Sequence, residues 1–489
     1  MMMLEVLVPE LVPKFMPEPG GAPQMAITGI TDDSRNVRQG DLFIAVSGAH
    51  YSARQMLDDI KASGVAAVLC DSAENLESDD LPIYKIENLS ARRGEVAGRF
   101  YGEPSRSMHV VAVTGTNGKT SCSQFIAAAL NIRCGVIGTM GNGFLSDLKD
   151  AGLTTPDAIS LQRMLATLLD EGAEAVCLEA SSHGLAQGRL NGTVIKTAVF
   201  TNITRDHLDY HDTFDAYKAA KQKLFIWPGL ETAVLNIDDP FSSELRAALA
   251  DEVDCLTYSL EQRTADIYCI WLKFELTGIR ALLMTPWGEV EIQSSLIGDF
   301  NLSNLLAVIG VIGSFGMPAD DMPQRIASIS NVVGRMDQLP LAKGAVAIID
   351  YAHTPNALEN ALQAARFHCS GKLWCVMGCG GDRDVGKRPI MGEITSRLAD
   401  ISVVTDDNPR TEASDEIIDN ILAGVLSGAD VRVEPDRRKA IAMALAGADE
   451  GDLILIAGKG HETYQEISGE RFEFSDYVEV ERHESGYVA

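Results

Sequence analysis

The chain is short of positive charge, of paired cysteines and of long apolar runs, and each shortage closes off a class of function. Lysine and arginine number 41 against 69 aspartates and glutamates, which leaves a formal charge of -28 and a pI near 4.7. A surface of that sign repels nucleic acid and anionic membranes, so a phosphate-bearing ligand must be held by local cations. No apolar run approaches the ~18 residues needed to cross a bilayer, and no charged-then-apolar leader opens the chain. The expectation is a cytoplasmic protein that inserts in no membrane and binds no nucleic acid. The nine cysteines lack paired C-x-x-C spacing. They read as reduced core filler rather than as a disulfide or zinc framework.

What is present is ordinary core material and one organising stretch. Hydrophobic residues make up 46% and charged residues 22% of 489, which fits globular packing in several domains rather than disorder. His109 to Leu130, HVVAVTGTNGKTSCSQFIAAAL, runs from an apolar segment through a glycine-rich turn into a helix-like segment. Val110 to Val113 read as a buried strand, Gly115 and Gly118 permit a tight turn, and Ser121 to Leu130 has the alanine content of a helix. Unpaired amides at such a helix start favour an anion, Lys119 can reach outer phosphates, and the Thr120 hydroxyl stands where such loops bind Mg2+. The general pattern G-x-x-x-x-G-K-[ST] wants glycine where Val113 stands, so on this stretch alone an ordinary strand-turn-helix stays open.

Before this loop, Met1 to Pro23 reads as an irregular lead-in. The text from Met25 then reads as a small α/β unit with a polar turn at Asp33-Ser34-Arg35, a helix over Ala53 to Ser63, a strand over Val65 to Cys70 and a helix over Ser90 to Tyr101. Gly102 to Ser105 breaks the pattern and marks a boundary. After the loop, Pro156 and Asp157 predict the start of a helix over Ala158 to Asp170, and a strand over Ala175 to Leu178 ends in Glu179. A carboxylate at that strand end suits Mg2+. Asn202 to His211 gathers histidines and acids at a spacing that fits no zinc motif. The helix over Phe214 to Phe225 carries Lys218, Lys221 and Lys223 and, by pattern alone, has a basic solvated face. Beyond a fresh strand near Leu339, strands over Lys372 to Met377, Ile401 to Thr405 and Leu453 to Ala457 alternate with helical segments, again α/β.

TGTNGKTS, the strand-end Glu179, NITRDHLDYH, YKAAK, GDFNLSNLLA, GRMD and DYAHTP resemble, in this order, the blocks of the Mur ligases, ATP-dependent amino-acid-adding enzymes of peptidoglycan precursor synthesis. The resemblance runs from about residue 25 to residue 480. DDSRNVRQGDLFIAVSG, TTPD and EASSHGL are similar to the tripeptide-forming branch. The arginine that ends DNPR is similar to its diaminopimelate-adding members.

The resemblance implies an α/β chain of three domains. A central P-loop-type doubly wound sheet, 105–338, is flanked by an N-terminal UDP-binding domain, 1–104, and a C-terminal Rossmann-like domain, 339–489. It implies a monomer that joins meso-diaminopimelate to UDP-N-acetylmuramoyl-L-alanyl-D-glutamate through an acyl phosphate, with ATP as co-substrate and Mg2+ as cofactor. ATP would be held by Gly115, Thr116, Asn117, Gly118, Lys119 and Thr120, with Asn301 and Asn304 near adenine, Arg335 at the transferring phosphate, and Asp350 and His353 near ribose and base. Asn301 also reads as a helix N-cap. Thr120 and Glu179 would hold one Mg2+ and His207 a second, with Lys221 converted to a carbamate. Lys119, Lys221, Glu179 and His207 are the implied catalytic groups.

Ser34 would contact the UDP part of the substrate, and Thr154, Thr155, Ser181 and Arg189 its dipeptide arm. Arg383 and Arg410 would take the distal carboxylate of diaminopimelate and Glu462 its ammonium, beside Asp407, Asn408 and Gly458. The lysine-adding enzyme of the same family and a nucleotide-binding switch protein are the alternatives.

Overall fold

Runs of β-branched and small apolar residues make the frame, because strands of a parallel sheet are covered on both faces and read as unbroken apolar segments. The computed structural model describes residues 2–9, 25–46, 57–74, 76–150 and 152–485. Most of the lead-in and the first part of the helix expected from Ala53 lie outside them. Residues 2–7 are not irregular: Met2–Met3 pairs antiparallel with Ala26–Ile27, and Leu4 and Leu7 of the short helix Leu4–Leu7 are buried. The chain packs as two compact units, Met1–Tyr258 and Ser259–Ala489.

Besides that two-stranded pair, the described residues of the first unit form two larger sheets. A four-stranded parallel sheet orders Gly29–Thr31, Asp41–Ala45, Ala67–Asp71 and Ile83–Ile86. The helix Leu89–Phe100 follows it and lies against Ala158–Asp170 and the turn at Asn191 and Gly192. A Cβ on Gly94 would sit 1.9 Å from the Asn191 carbonyl oxygen, and one on Gly192 would sit 2.4 Å from the Gly94 carbonyl. In the larger sheet, parallel strands run in the spatial order Cys134–Gly138, Ala175–Glu179, His109–Thr114, Thr197–Phe200, Thr232–Asn236 and Asp254–Ser259. Gly141–Phe144 and Asp147–Lys149 extend it antiparallel. The chain winds first to one side of His109–Thr114 and then to the other, so the carboxyl end of that strand is a topological switch point, where open α/β sheets bind ligands. Asp157 starts the helix Ala158–Asp170 as the sequence predicts, accepting from the amides of Ile159 and Ser160 at 3.0 and 2.9 Å.

The second unit opens with three antiparallel strands, Ile267–Glu275, Gly278–Thr285 and Gly288–Ser294, and the almost wholly buried helix Asp299–Ser314. A six-stranded sheet follows in the order Asp337–Pro340, Val346–Asp350, Leu453–Ala457, Leu373–Met377, Ile401–Val404 and Asp430–Val433, parallel except at the first pair. The boundary expected between residues 338 and 339 falls inside the strand Asp337–Pro340, which hydrogen-bonds to Val346–Asp350. The hairpin Tyr464–Ile467 and Glu470–Glu473 follows, and the helix Asp476–Glu484 ends the described part of the unit. Among the described residues no helix is long and apolar enough to cross a membrane.

Candidate active site

His109–Thr114 delivers the glycine-rich turn to the switch point, and the helix Lys119–Ala129 leaves from it. No side chain caps that helix: its N-cap is Gly118 in the left-handed conformation at φ 83°, and a helix start without a capping side chain favours an anion. Gly115 has no room for a side chain, since a Cβ there would lie 1.9 Å from Thr201 Oγ1. Lys119 folds back over the loop, and its Nζ donates to the carbonyls of Gly115 and Thr116 at 2.9 and 2.8 Å. Asn117 is fixed from the neighbouring strand end, its amide donating to Asn202 Oδ1 at 3.0 Å and its carbonyl accepting from Thr201 Oγ1 at 2.6 Å. Thr116 Oγ1 lies 3.0 Å from the Tyr217 hydroxyl.

Glu179 ends the adjacent strand and is buried. Its carboxylate accepts from Thr120 Oγ1 at 2.9 Å, from the Thr139 amide at 2.7 Å and from Thr139 Oγ1 at 3.2 Å. The hydroxyl expected at the metal and the strand-end carboxylate therefore meet directly. Lys221 departs from the reading of a solvated face: it is buried in the helix Phe214–Gln222 and its Nζ donates to the Gly115 carbonyl at 2.7 Å. Its Nζ also lies 4.7 Å from the centre of the Tyr217 ring. Burial first, and the charge of Lys119 second, hold its pKa well below the ordinary lysine range.

Around this core lies a shell of polar groups. Thr155 Oγ1 donates to the Glu179 carbonyl at 2.7 Å and contacts Ser181 Oγ at 2.9 Å, while Arg189 Nη1 donates to the Thr155 carbonyl at 2.7 Å. Thr154 joins through its hydroxyl, 3.1 Å from Thr139 Oγ1. His207 is exposed, with Nε2 3.5 Å from Asp206 Oδ2, and is linked to the rest by rings: His183 at 4.8 Å and Tyr217 at 6.2 Å between centroids. Ser34 stands apart from these bonds, opening a 3-10 turn whose N-cap is Asp33.

In the second unit Asn301 is not the N-cap of its helix. Gly298 takes that place, and Asn301, buried at the third helical position, donates from Nδ2 to the Ile297 carbonyl at 2.8 Å and accepts from Asn304 at 3.3 Å. Asp350 ends its strand buried, accepts from the Met336 amide at 2.7 Å and has its pKa raised to about 6 by burial. Arg335 lies over the Tyr351 ring at 5.3 Å, and His353 Nδ1 is 2.7 Å from the Tyr351 carbonyl oxygen.

Three loops leave the carboxyl ends of Leu373–Met377, Ile401–Val404 and Leu453–Ala457 and meet. Arg410 Nη1 donates to the Gly381 carbonyl at 2.7 Å, and its Nε lies 3.5 Å from Glu466. Gly381 cannot carry a Cβ, which would lie 2.0 Å from the Pro409 carbonyl oxygen. Asn408 Nδ2 donates to Glu462 Oε2 at 3.0 Å. A Cβ on Gly458 would lie 3.2 Å from Asp407 Oδ2, and the Gly458 amide donates to the Asp350 carbonyl at 3.0 Å. Arg383 is exposed on the Gly380–Gly386 loop and belongs to the same rim without sharing those bonds.

Sequence reasoning missed Lys459, wholly buried among Asp407, Asn408 and Glu462, and the fully buried pair of Arg437 with Asp476, whose two bonds are each 2.8 Å. A lysine between two glycines directly after the apolar strand Leu453–Ala457 was the available signal for the first. The second joins residues 39 apart and left no local signal.

Three family profiles match in succession: the Mur ligase family catalytic domain over residues 26–101, the Mur ligase middle domain over 113–312, and the Mur ligase glutamate ligase domain over 334–460. A Pseudomonas aeruginosa protein named UDP-N-acetylmuramoyl-L-alanyl-D-glutamate--2,6-diaminopimelate ligase is 48% identical over 94% of this chain and 95% of its own. A Chromobacterium violaceum protein of the same name is 44% identical over 93% of each. A solved structure bearing that name is 36% identical, covers 99% of both chains and superposes with a TM-score of 0.80. MurF from Acinetobacter baumannii, 16% identical with a TM-score of 0.60 over 90% of this chain and 92% of its own, shares the fold.

Proposed function

The chain belongs to the Mur ligase family, and from that premise we propose that it uses ATP to join meso-diaminopimelate to UDP-N-acetylmuramoyl-L-alanyl-D-glutamate in peptidoglycan precursor synthesis. One observation carries the reading. A single chain holds both a phosphate loop tied to a strand-end glutamate through Thr120 and a second set of strand ends where Asp407, Asn408, Arg410 and Glu462 converge. Polar groups of this kind suit phosphates, carboxylates and amines, and an apolar ligand would leave them unpaired.

In this reading the amides that follow Gly118 and the ammonium of Lys119 hold the ATP phosphates. The D-glutamate carboxylate attacks the γ-phosphorus, an acyl-phosphate bond forms, and the β–γ bond breaks to release ADP. The amine of diaminopimelate then attacks the acyl carbon, inorganic phosphate leaves, and the amine loses a proton. Fixed dipoles and cations aimed at the transferring group do most of this work. Thr154, Thr155, Ser181 and Arg189 orient the dipeptide arm, and Ser34 takes the UDP end. Asn301, Asn304, Asp350 and His353 serve the nucleoside, with Arg335 at the transferring phosphate.

The Thr120 hydroxyl and Glu179 carboxylate are hard oxygen donors of the type Mg2+ prefers, with His207 assigned to a second ion. Among the described residues no three His, Cys, Asp or Glu groups cluster closely enough to hold an ion alone, which suits a cation held partly by substrate phosphates. Mg2+ would supply charge neutralisation at those phosphates. Lys221, buried and depressed in pKa, can present the neutral amine that adds to CO2, forming an N–C bond and releasing a proton; the carbamate replaces a cation by anionic oxygens. Arg410 and Arg383 receive the distal carboxylate of diaminopimelate and Glu462 its ammonium, since a guanidinium matches a carboxylate through two parallel bonds.

A domain limit at 104, a second one set ahead of the strand Asp337–Pro340 so as not to divide it, a monomeric state and a cytoplasmic location complete the reading; sedimentation and fractionation test the last two. The deciding assay is phosphate release with UDP-dipeptide and a panel of amino acids. Release that needs both the dipeptide and diaminopimelate supports the assignment. Release with lysine in its place would move the chain to the lysine-adding branch.

A further inference from the structure

Lys459 has no place in the roles above, and its surroundings are too specific for a spacer. It is wholly buried, yet a buried ammonium costs several kcal/mol unless its donors are met. Its Nζ donates to Asn408 Oδ1 at 2.9 Å and to the Tyr464 carbonyl at 2.8 Å, and the remaining direction is shared between Asp407 Oδ1 and Glu462 Oε2, each 3.5 Å away. Asn408 Oδ1 also accepts from the Glu466 amide at 2.9 Å. Two donors on that oxygen hold the amide one way round, and its Nδ2 therefore faces Glu462. Arg437, the other buried cation nearby, gives Nε and Nη2 to Asp476 at 2.8 Å each, and its Nη2 also donates to the Ala457 carbonyl at 3.0 Å. Lys459 thus faces Asp407 and Glu462 as the buried cation of this loop cluster that is not paired with Asp476.

We propose that Lys459 is a positioning and specificity-determining residue of the amino-acid site: it fixes Asn408 and Glu462 and lowers the local charge of the two carboxylates from minus two to minus one. The inference rests on the amino-acid site proposed above. The distal end of diaminopimelate carries an ammonium and a carboxylate, neutral together, whereas the distal end of lysine is a bare ammonium. A pocket of charge minus one beside Arg410 tolerates the first, and a pocket of charge minus two would draw the second and repel the distal carboxylate.

Lys459→Met removes the charge and the orientation together. Its KM for diaminopimelate should rise ~10-fold or more, and the preference for diaminopimelate over lysine in kcat/KM should fall ~10-fold, while KM for ATP stays within ~2-fold. Lys459→Arg, which keeps the charge, should recover most of the preference. Lys459→Gln, able to donate to Asn408 but uncharged, serves if the methionine variant does not fold, and should lose the preference as well. An equal loss on both amino acids, or KM values like those of the wild type, overturns the proposal. So does unfolding of both uncharged variants, which would make Lys459 a scaffold residue. A wild-type enzyme that ligates no diaminopimelate would instead overturn the reading beneath it, so the two failures are distinct.

Discussion

Among the described residues two lysines are buried, Lys221 in the helix Phe214–Gln222 of the first unit and Lys459 beyond the strand Leu453–Ala457 of the second, and their surroundings set them apart. Lys221 has a carbonyl, an aromatic face and a second lysine for company. Lys459 has an amide oxygen, a carbonyl and two carboxylates. Burial pushes both below the usual lysine range; at Lys459 the largest charge effect is Asp407, which opposes the shift with Glu462 against Arg437, whereas at Lys221 the largest is Lys119, which adds to the shift against a smaller opposition from Asp206. Burial of a cation therefore says little by itself. Company decides whether it is a reactive amine or a fixed charge.

The largest expected effect tests the reactive member of the pair. Lys221→Ala should lower turnover ~10³-fold, as loss of a preorganised charge at a transferring group does. Dialysed wild-type enzyme should regain activity with bicarbonate, and the variant should not. Full turnover in the variant would erase the contrast between the two lysines.

Below Lys459 the contrast depends on Arg437 staying committed to its own partner. Asp476→Ala strands a buried guanidinium and should cost ~3 kcal/mol or more, read as a lower urea midpoint. An unchanged midpoint would mean that Arg437 has another anion to turn to.

Arg410→Ala should reduce kcat/KM for diaminopimelate ~10²-fold and leave kcat/KM for any lysine turnover nearly unchanged, because only the first carries a distal carboxylate. Equal losses would take the guanidinium out of the specificity argument.

The smallest effect concerns a buried anion instead of a buried cation. Asp350 has its pKa raised from 3.8 to about 6, so the folded state keeps a proton that the unfolded state releases. Its contribution is fully present below pH 3.8 and is lost as pH rises through about 6. The stability of Asp350→Asn relative to wild type should accordingly climb across that window and level off above it, in urea titrations at stepped pH.

Local pattern made much of this legible. Ala158–Asp170 and Leu453–Ala457 lie where cap chemistry and apolar runs put them, and the phosphate loop is one contiguous stretch. Long-range packing accounts for the rest. Lys221 reads as solvated because the carbonyl that receives it lies 106 residues earlier in the chain. Asn301 reads as a cap because only the fold reveals that Gly298 already starts the helix. The expected boundary at 338 cuts a strand whose partner, Val346–Asp350, lies just beyond the break in the text.

The close approach of Gly94 to Asn191 and Gly192 has a consequence for mutational tolerance. Each backbone fills the space where the other's side chain would go, so the contact works like a rivet between the helix Leu89–Phe100 and the body of the first unit. A saturation scan should find positions 94 and 192 among the least permissive in that unit, although neither has any chemistry to offer a substrate.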